Sequence, residues 1–301
     1  MRADLHQHLL GEPLLEALAE RAVAPLTRRQ GSAWWLEVPG EAPHRVNLEA
    51  EDAARRAAQL EADGLDHAVV GLSGVLGIEG LPTEEAGRLL TAHDEGLAAL
   101  PGRFWRWAAV SLLEPSADAV EAQLAGGAVG LTLPAGALAT PAGLERLAPL
   151  LEPLARRGRP LFVHPGPSPW EPAPTGGTGG WWTALTRYVA EMNAAWHSFV
   201  ATGPGSVPPV PVVFALLGGL APLHLERLAV RGGPAERALD PRFHYEVSSY
   251  GPRSIEAVGR VVGADRLVYG SDRPMVSPPP PADSPWTHLA ARNAADLLTA
   301  S

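Results

Sequence analysis

Asp4-Leu5-His6-Gln7-His8 places two imidazoles two residues apart at the end of an apolar opening segment. If that segment is a strand, side chains alternate with a period of two, so both rings stand on one face and can reach one metal ion. A short histidine pair also arises by chance, so the pair needs support from elsewhere in the chain. Leu161-Phe162-Val163-His164-Pro165 and Leu267-Val268-Tyr269-Gly270-Ser271-Asp272 supply it: each is an apolar, strand-like run that ends in a metal-ligating group. Three histidines and one carboxylate form a nitrogen and oxygen donor set suited to a divalent transition metal.

The elements that must position these groups alternate regularly. Short apolar runs at 2–9, 65–73, 104–112, 128–133, 160–164, 210–216, 243–248 and 266–270 read as strands. Helical patterns follow them at 49–63, 83–100, 116–125, 141–157, 183–202, 222–231, 253–262 and 287–299. Start and stop signals support several: Thr83 with Glu84 and Glu85, Ser116 with Asp118, and Gly158 before Pro160. Eight strand-then-helix units predict an α/β fold of the (β/α)8 (TIM) barrel type, formed by residues 1–301 as one domain. A doubly wound sheet is the competing architecture, but no glycine-rich phosphate turn follows the first strand. In a barrel the C-terminal strand ends share one mouth, where the candidate ligands all fall.

Two loops stand out. The first unit carries an insertion at 24–48, in which 32–38 and 44–47 flank Pro39-Gly40 and predict a hairpin. The fifth carries a Trp-, Gly- and Pro-rich loop at 166–182. Both leave C-terminal strand ends and should border the mouth as binding loops.

Composition narrows the function. The chain has 301 residues, 46% of them hydrophobic, enough for a large core. A formal net charge of -9, with the basic residues scattered, gives a nucleic-acid partner no electrostatic support. The absence of cysteine excludes disulfides, thiolate metal sites and cysteine nucleophiles. No run reaches the roughly 20 apolar residues of a spanning helix, and no basic stretch precedes an apolar segment at the start. A cytoplasmic location and a small-molecule substrate are therefore expected, with no membrane partner and with a homodimer left open.

These residues also carry a resemblance. Asp4/His6/His8, His164-Pro165, Gly218-Gly219-Leu220-Ala221-Pro222 and Gly270-Ser271-Asp272-Arg273-Pro274 occur in the order found in the amidohydrolase superfamily. They are most similar to the branch that contains aminocarboxymuconate-semialdehyde decarboxylase, and 245–251 resembles that branch's seventh strand. The resemblance implies that His6, His8, His164 and Asp272 bind a single divalent metal, with zinc the first choice. It also implies that the metal activates a water, whose proton Asp272 accepts as the catalytic residue. Two positions depart from the family. Leu216 stands where a histidine usually follows the sixth strand, and 130–134 lacks the lysine of two-metal members. His224, His197 and His44 are candidate substitutes for the missing histidine.

The substrate-binding candidates are Trp34, Arg45, Trp170, Trp182, Ser249, Tyr250 and Arg273. For the tryptophans, packing on the barrel rim competes with lining the mouth. For Arg45 and Arg273, an ordinary ion pair competes with clamping a substrate carboxylate. His67, His93, His244 and His288 read as structural. The leading expectation is a metal-dependent hydrolase of an amide, ester or lactone. Non-oxidative decarboxylation of an aromatic or unsaturated acid is the alternative, and a catalytically altered or inactive barrel is a third reading that rests on Leu216.

Overall fold

The computed structural model describes residues 1–171, 180–202, 205–278 and 280–299. Its central sheet has eight strands: β1 (Ala3–His8), β2 (His67–Gly71), β3 (Phe104–Ala108), β4 (Gly130–Pro134), β5 (Leu161–His164), β6 (Val212–Phe214), β7 (Phe243–Glu246) and β8 (Leu267–Val268). Neighbours follow chain order and every pairing is parallel. The sheet closes on itself. Leu5 N donates to Tyr269 O at 3.0 Å, Asp272 N to His6 O at 2.8 Å and His8 N to Arg273 O at 2.8 Å. This is the expected (β/α)8 barrel.

The strands are buried on both faces, which explains why they read as near-continuous apolar runs; all six residues of β1 are buried, its polar ones included. Trp107 fills the interior. It is fully buried, donates from Nε1 to Leu5 O at 2.7 Å, and stacks on Phe162 with ring centroids 5.3 Å apart. Gly130 makes room for it: a Cβ there would lie 2.5 Å from the Trp107 ring and 2.2 Å from Pro160 O. Phe162 in turn lies 5.0 Å from the His6 ring, so an aromatic layer supports the histidines from below.

Prolines explain where helices differ from expectation. The predicted helix at 141–157 is broken into Pro141–Leu147, a 3₁₀ turn at Ala148–Leu151, and Glu152–Arg157, because Pro149 and Pro153 donate no hydrogen bond. The segment at 49–63 divides at Asp52, whose side chain caps Ala53–Ala62 by accepting from Arg55 N at 2.8 Å. One further helix, Glu12–Ala19, follows β1 directly. The insertion is a three-stranded antiparallel sheet rather than a hairpin: Leu26–Gln30 adds a strand beside Ala33–Glu37 and His44–Arg45. His67 opens the second strand and stacks on Trp105 at 4.1 Å. Among the described residues no helix is long and apolar enough to cross a membrane.

Because Trp107 joins β1, β3 and β5, replacing it by Ala is expected to destabilise the fold by about 3–5 kcal/mol. Urea unfolding measures this, and a loss below about 1 kcal/mol would contradict its role as the interior filler.

Candidate metal centre

His6 and His8 project from the C-terminal half of β1, His164 ends β5, and Asp272 lies just beyond β8. The barrel brings these four together: their ligand atoms all lie within 4.8 Å of one another. Nε2 of His8 is 3.1 Å from Nε2 of His6 and 3.0 Å from Nε2 of His164, while Asp272 Oδ1 is 3.5 Å from His6 Nε2 and 3.3 Å from His8 Nε2. Four donors placed ~2.0 Å from a common tetrahedral centre sit about 3.3 Å apart, so this set fits one small divalent ion.

The outward-facing ring nitrogens fit it as well. His8 Nδ1 donates to Gly71 O at 3.0 Å, His164 Nδ1 to Pro165 O at 2.7 Å, and His6 Nδ1 to Glu246 Oε2 at 3.2 Å. Each bond fixes a tautomer that leaves the Nε2 lone pair free for the centre. All three rings are at most 4% exposed.

Glu246 is the functional residue that the sequence reading passed over. Fully buried at the end of β7, it accepts from Ser248 N at 2.5 Å, Ser248 Oγ at 2.8 Å and Leu216 N at 3.4 Å, and it also contacts His6. Gly270 permits the approach, since a Cβ there would lie 2.3 Å from Glu246 Oε1 and 2.5 Å from His6 Cβ. The signal was a carboxylate at the mouth end of a buried strand. Asp4 has a different task. It accepts from Ser271 N at 3.0 Å, Gln7 Nε2 at 2.7 Å and His6 N at 3.1 Å, and so ties the loop that carries Asp272 to β1.

Backbone strain gathers at the same mouth. Leu216, Leu217, Gly218, Gly219 and Leu220 are five consecutive residues with positive φ, a left-handed turn after β6, and Ser249 (φ 63) and Asp272 (φ 55) follow β7 and β8. Leucines in this region are costly, and such residues persist where packing over-determines them.

Electrostatics divide the ligands. Burial disfavours charge on His6, but Glu246 and Asp272 outweigh it and push its pKa up to about 9. Burial and the neighbouring His8 and His6 hold His164 well below the usual imidazole range. Burial works to raise Asp272, yet the His6 charge and the hydrogen bond from His8 keep it below the usual carboxylate range.

Above the ligands lies a cavity of about 320 Å³ with predominantly apolar walls that include Leu36, Val38, Leu76, Val189, Leu216 and Tyr250. Ser249 and Tyr250 line it. The other substrate-binding candidates lie elsewhere, for identifiable reasons. Trp34 turns into a satellite core with Leu14, Leu18 and Leu89. Arg45 is exposed: the insertion pairs Leu36 with His44 and Trp35 with Arg45, so His44 shares the cavity face of Leu36 and Arg45 takes the opposite one. Arg273 alternates away from Asp272 and pairs with Asp63 at 3.0 Å. Trp170 packs under Arg146, whose guanidinium carbon is 4.4 Å from the ring centroid. Trp182 is exposed and touches Trp181; the rest of that loop, 172–179, lies outside the described residues. Of the three substitute histidines, only His44 lines the cavity. His197 donates from Nδ1 to Asn193 O and packs on Trp196, and His224 belongs to a 3₁₀ turn after β6.

No family model and no curated protein sequence matches the chain. Solved structures do match its fold over nearly the full length. IDCase of Metarhizium anisopliae in its apo form is 19% identical, with a TM-score of 0.80 over 99% of this chain and 97% of that one. The 5-carboxyvanillate decarboxylase of Novosphingobium aromaticivorans, a mutant with bound manganese and a nitrobenzoic acid, is 19% identical with a TM-score of 0.66 over 98% and 91%. An amidohydrolase of Mycobacterium avium subsp. paratuberculosis is 16% identical with a TM-score of 0.69 over 99% and 98%. At this identity the likeness is one of fold: the chain has the barrel of amidohydrolases and of related decarboxylases.

In the metal-free site the raised His6 pKa means that an incoming metal displaces a proton. Affinity is therefore expected to climb from neutral pH to about 9 and flatten above it. By the same linkage the metal-free fold draws stability from the His6 proton below 6.5 and loses it as pH rises through about 9. Glu246→Gln removes the charge that raises His6 and weakens its orientation. Calorimetric zinc titration should show affinity reduced about 10–100-fold, with a shallower pH slope. Unchanged affinity and slope would remove Glu246 from the site.

Proposed function

We propose that this barrel belongs to the amidohydrolase superfamily and is a metal-dependent enzyme that decarboxylates a small, largely apolar carboxylic acid without oxidation. The observation that carries the reading is the convergence of His6, His8, His164 and Asp272 on one point at the floor of an apolar cavity. A divalent ion held there, zinc by preference for this donor set, would supply Lewis-acid stabilisation of charge on a substrate oxygen.

The chain's own residues then have limited work to do. The apolar walls exclude water from the acid and disfavour its charged carboxylate relative to neutral carbon dioxide. As the carbon–carbon bond breaks, its electron pair stays on the substrate carbon and takes up one proton. Asp272, ionised at rest, would first take the proton of the substrate's own carboxylic acid and then return it to that carbon, so that the acid yields carbon dioxide and the protonated product with no other reactant. A single ionisable group is enough for this step, which suits a site whose sixth-strand position is Leu216 rather than a histidine. The fold is shared with the carboxyvanillate decarboxylase above, which supports the same reading.

Hydrolysis is the second reading, and one observation favours it: the ionised form of Asp272 is the form that accepts a proton from an attacking water. The products separate the two. Purified protein should hold close to one divalent metal per chain. With zinc or manganese supplied, it should release carbon dioxide from a member of a panel of small aromatic acids. Release of acid plus amine or alcohol from amides and esters, with no carbon dioxide, would establish hydrolysis instead. Asp272→Asn should lower either activity at least ~100-fold, and full turnover by that variant would sink the mechanism. Leu216→His tests whether the sixth-strand position limits the rate: an increase means that it does, and no gain means that the site works around leucine.

A further inference from the structure

The outer part of the cavity is acidic. Among the described residues its lining includes no arginine and no lysine, and the titratable side chains away from the metal ligands are Glu41, His44, Tyr188 and Tyr250. Glu41, in the turn between the insertion strands Ala33–Glu37 and His44–Arg45, and Tyr188, in the helical segment after β5, both line it and belong to loops above the strand ends. Tyr188 OH donates to Glu41 Oε1 in a close hydrogen bond that bridges the two loops. A phenol does not neutralise a carboxylate, and among the described residues Glu41 has no ion-pair partner. The nearby Arg187 is already engaged, with its Nε 2.8 Å from Glu191 Oε1, and Glu171 adds further negative charge beside that pair. The Tyr188 phenol is pushed up by burial and by Glu41, so it remains a donor to that carboxylate. An unneutralised carboxylate set among Leu36, Val38, Leu185 and Val189 favours a cation.

We propose that the ligand of this cavity carries a protonated amine at the end away from the metal centre, held by Glu41 with Tyr188 as its positioning partner. The substrate class is then an apolar, amine-bearing acid: one oxygen end for the floor, an apolar body for the walls, and an ammonium for the rim. This rests on the reading that the cavity takes its substrate at the metal centre, and it replaces the expectation that Arg45 or Arg273 clamps a substrate carboxylate.

The test uses matched probes and calorimetry on the full chain, with and without zinc. 4-(Aminomethyl)benzoate, 4-(2-aminoethyl)benzoate and 4-(3-aminopropyl)benzoate are each compared with the alkyl benzoate in which methyl replaces the amine. At one or more lengths the amine is expected to bind at least about 10-fold more tightly than its alkyl counterpart, a charge-assisted hydrogen bond being gained. Glu41→Gln should erase that preference while leaving the alkyl benzoates unchanged. Equal or weaker binding of the amines at every length, or a preference that survives Glu41→Gln, overturns the proposal. The metal reading fails separately: it falls if zinc does not tighten any benzoate, whereas the amine preference is a ratio within each pair and is measured in either state.

Discussion

Three imidazole nitrogens and a carboxylate oxygen lie within 4.8 Å of one another, four of the gaps measuring 3.0 to 3.5 Å, in a largely buried site. Wherever no proton lies between them such lone pairs repel, and burial removes the solvent that would soften the repulsion. The surroundings oblige them to stay. Glu246, Gly71 O and Pro165 O each take an Nδ1 proton, so no ring can rotate away without leaving a buried acceptor unpaired. The Trp107 and Phe162 layer, the glycines at 130 and 270, and the Asp4 tie to Ser271 all serve to hold this arrangement.

The parts of this arrangement that were legible in the sequence are those that depend on local pattern. Period-two alternation placed His6 and His8 on one face, and apolar runs ending in His164 and Asp272 pointed to the same mouth. The barrel followed from eight repeats of strand then helix. What was not legible depends on distant partners. Arg273 turns to Asp63, which is 210 residues away in the chain. Arg45 loses its place to His44 through the pairing register of a sheet whose first strand, Leu26-Thr27-Arg28-Arg29-Gln30, shows no clear alternation. Glu246 gave no local sign beyond its place at a strand end, and its importance is visible only beside His6.

Leu216 joins two of these themes. It lies on the cavity wall and also begins a left-handed turn of five residues, with its backbone N 3.4 Å from Glu246 Oε2. The backbone at this position is set by packing around Gly219, where a Cβ would lie 2.5 Å from Val189 O. The main chain is therefore held from below, while the side chain is shared between the core it packs against and the cavity it lines.

The closing seam between β8 and β1 has a consequence in time as well as space. Two ligands, His6 and His8, lie on one side of it, and Asp272 on the other. A donor set divided across a seam cannot assemble before the seam closes, so an open barrel displays at most a partial, weakly competing set of donors. Selective capture of an ion therefore becomes a mark of closure, gained only once β1 and β8 have met.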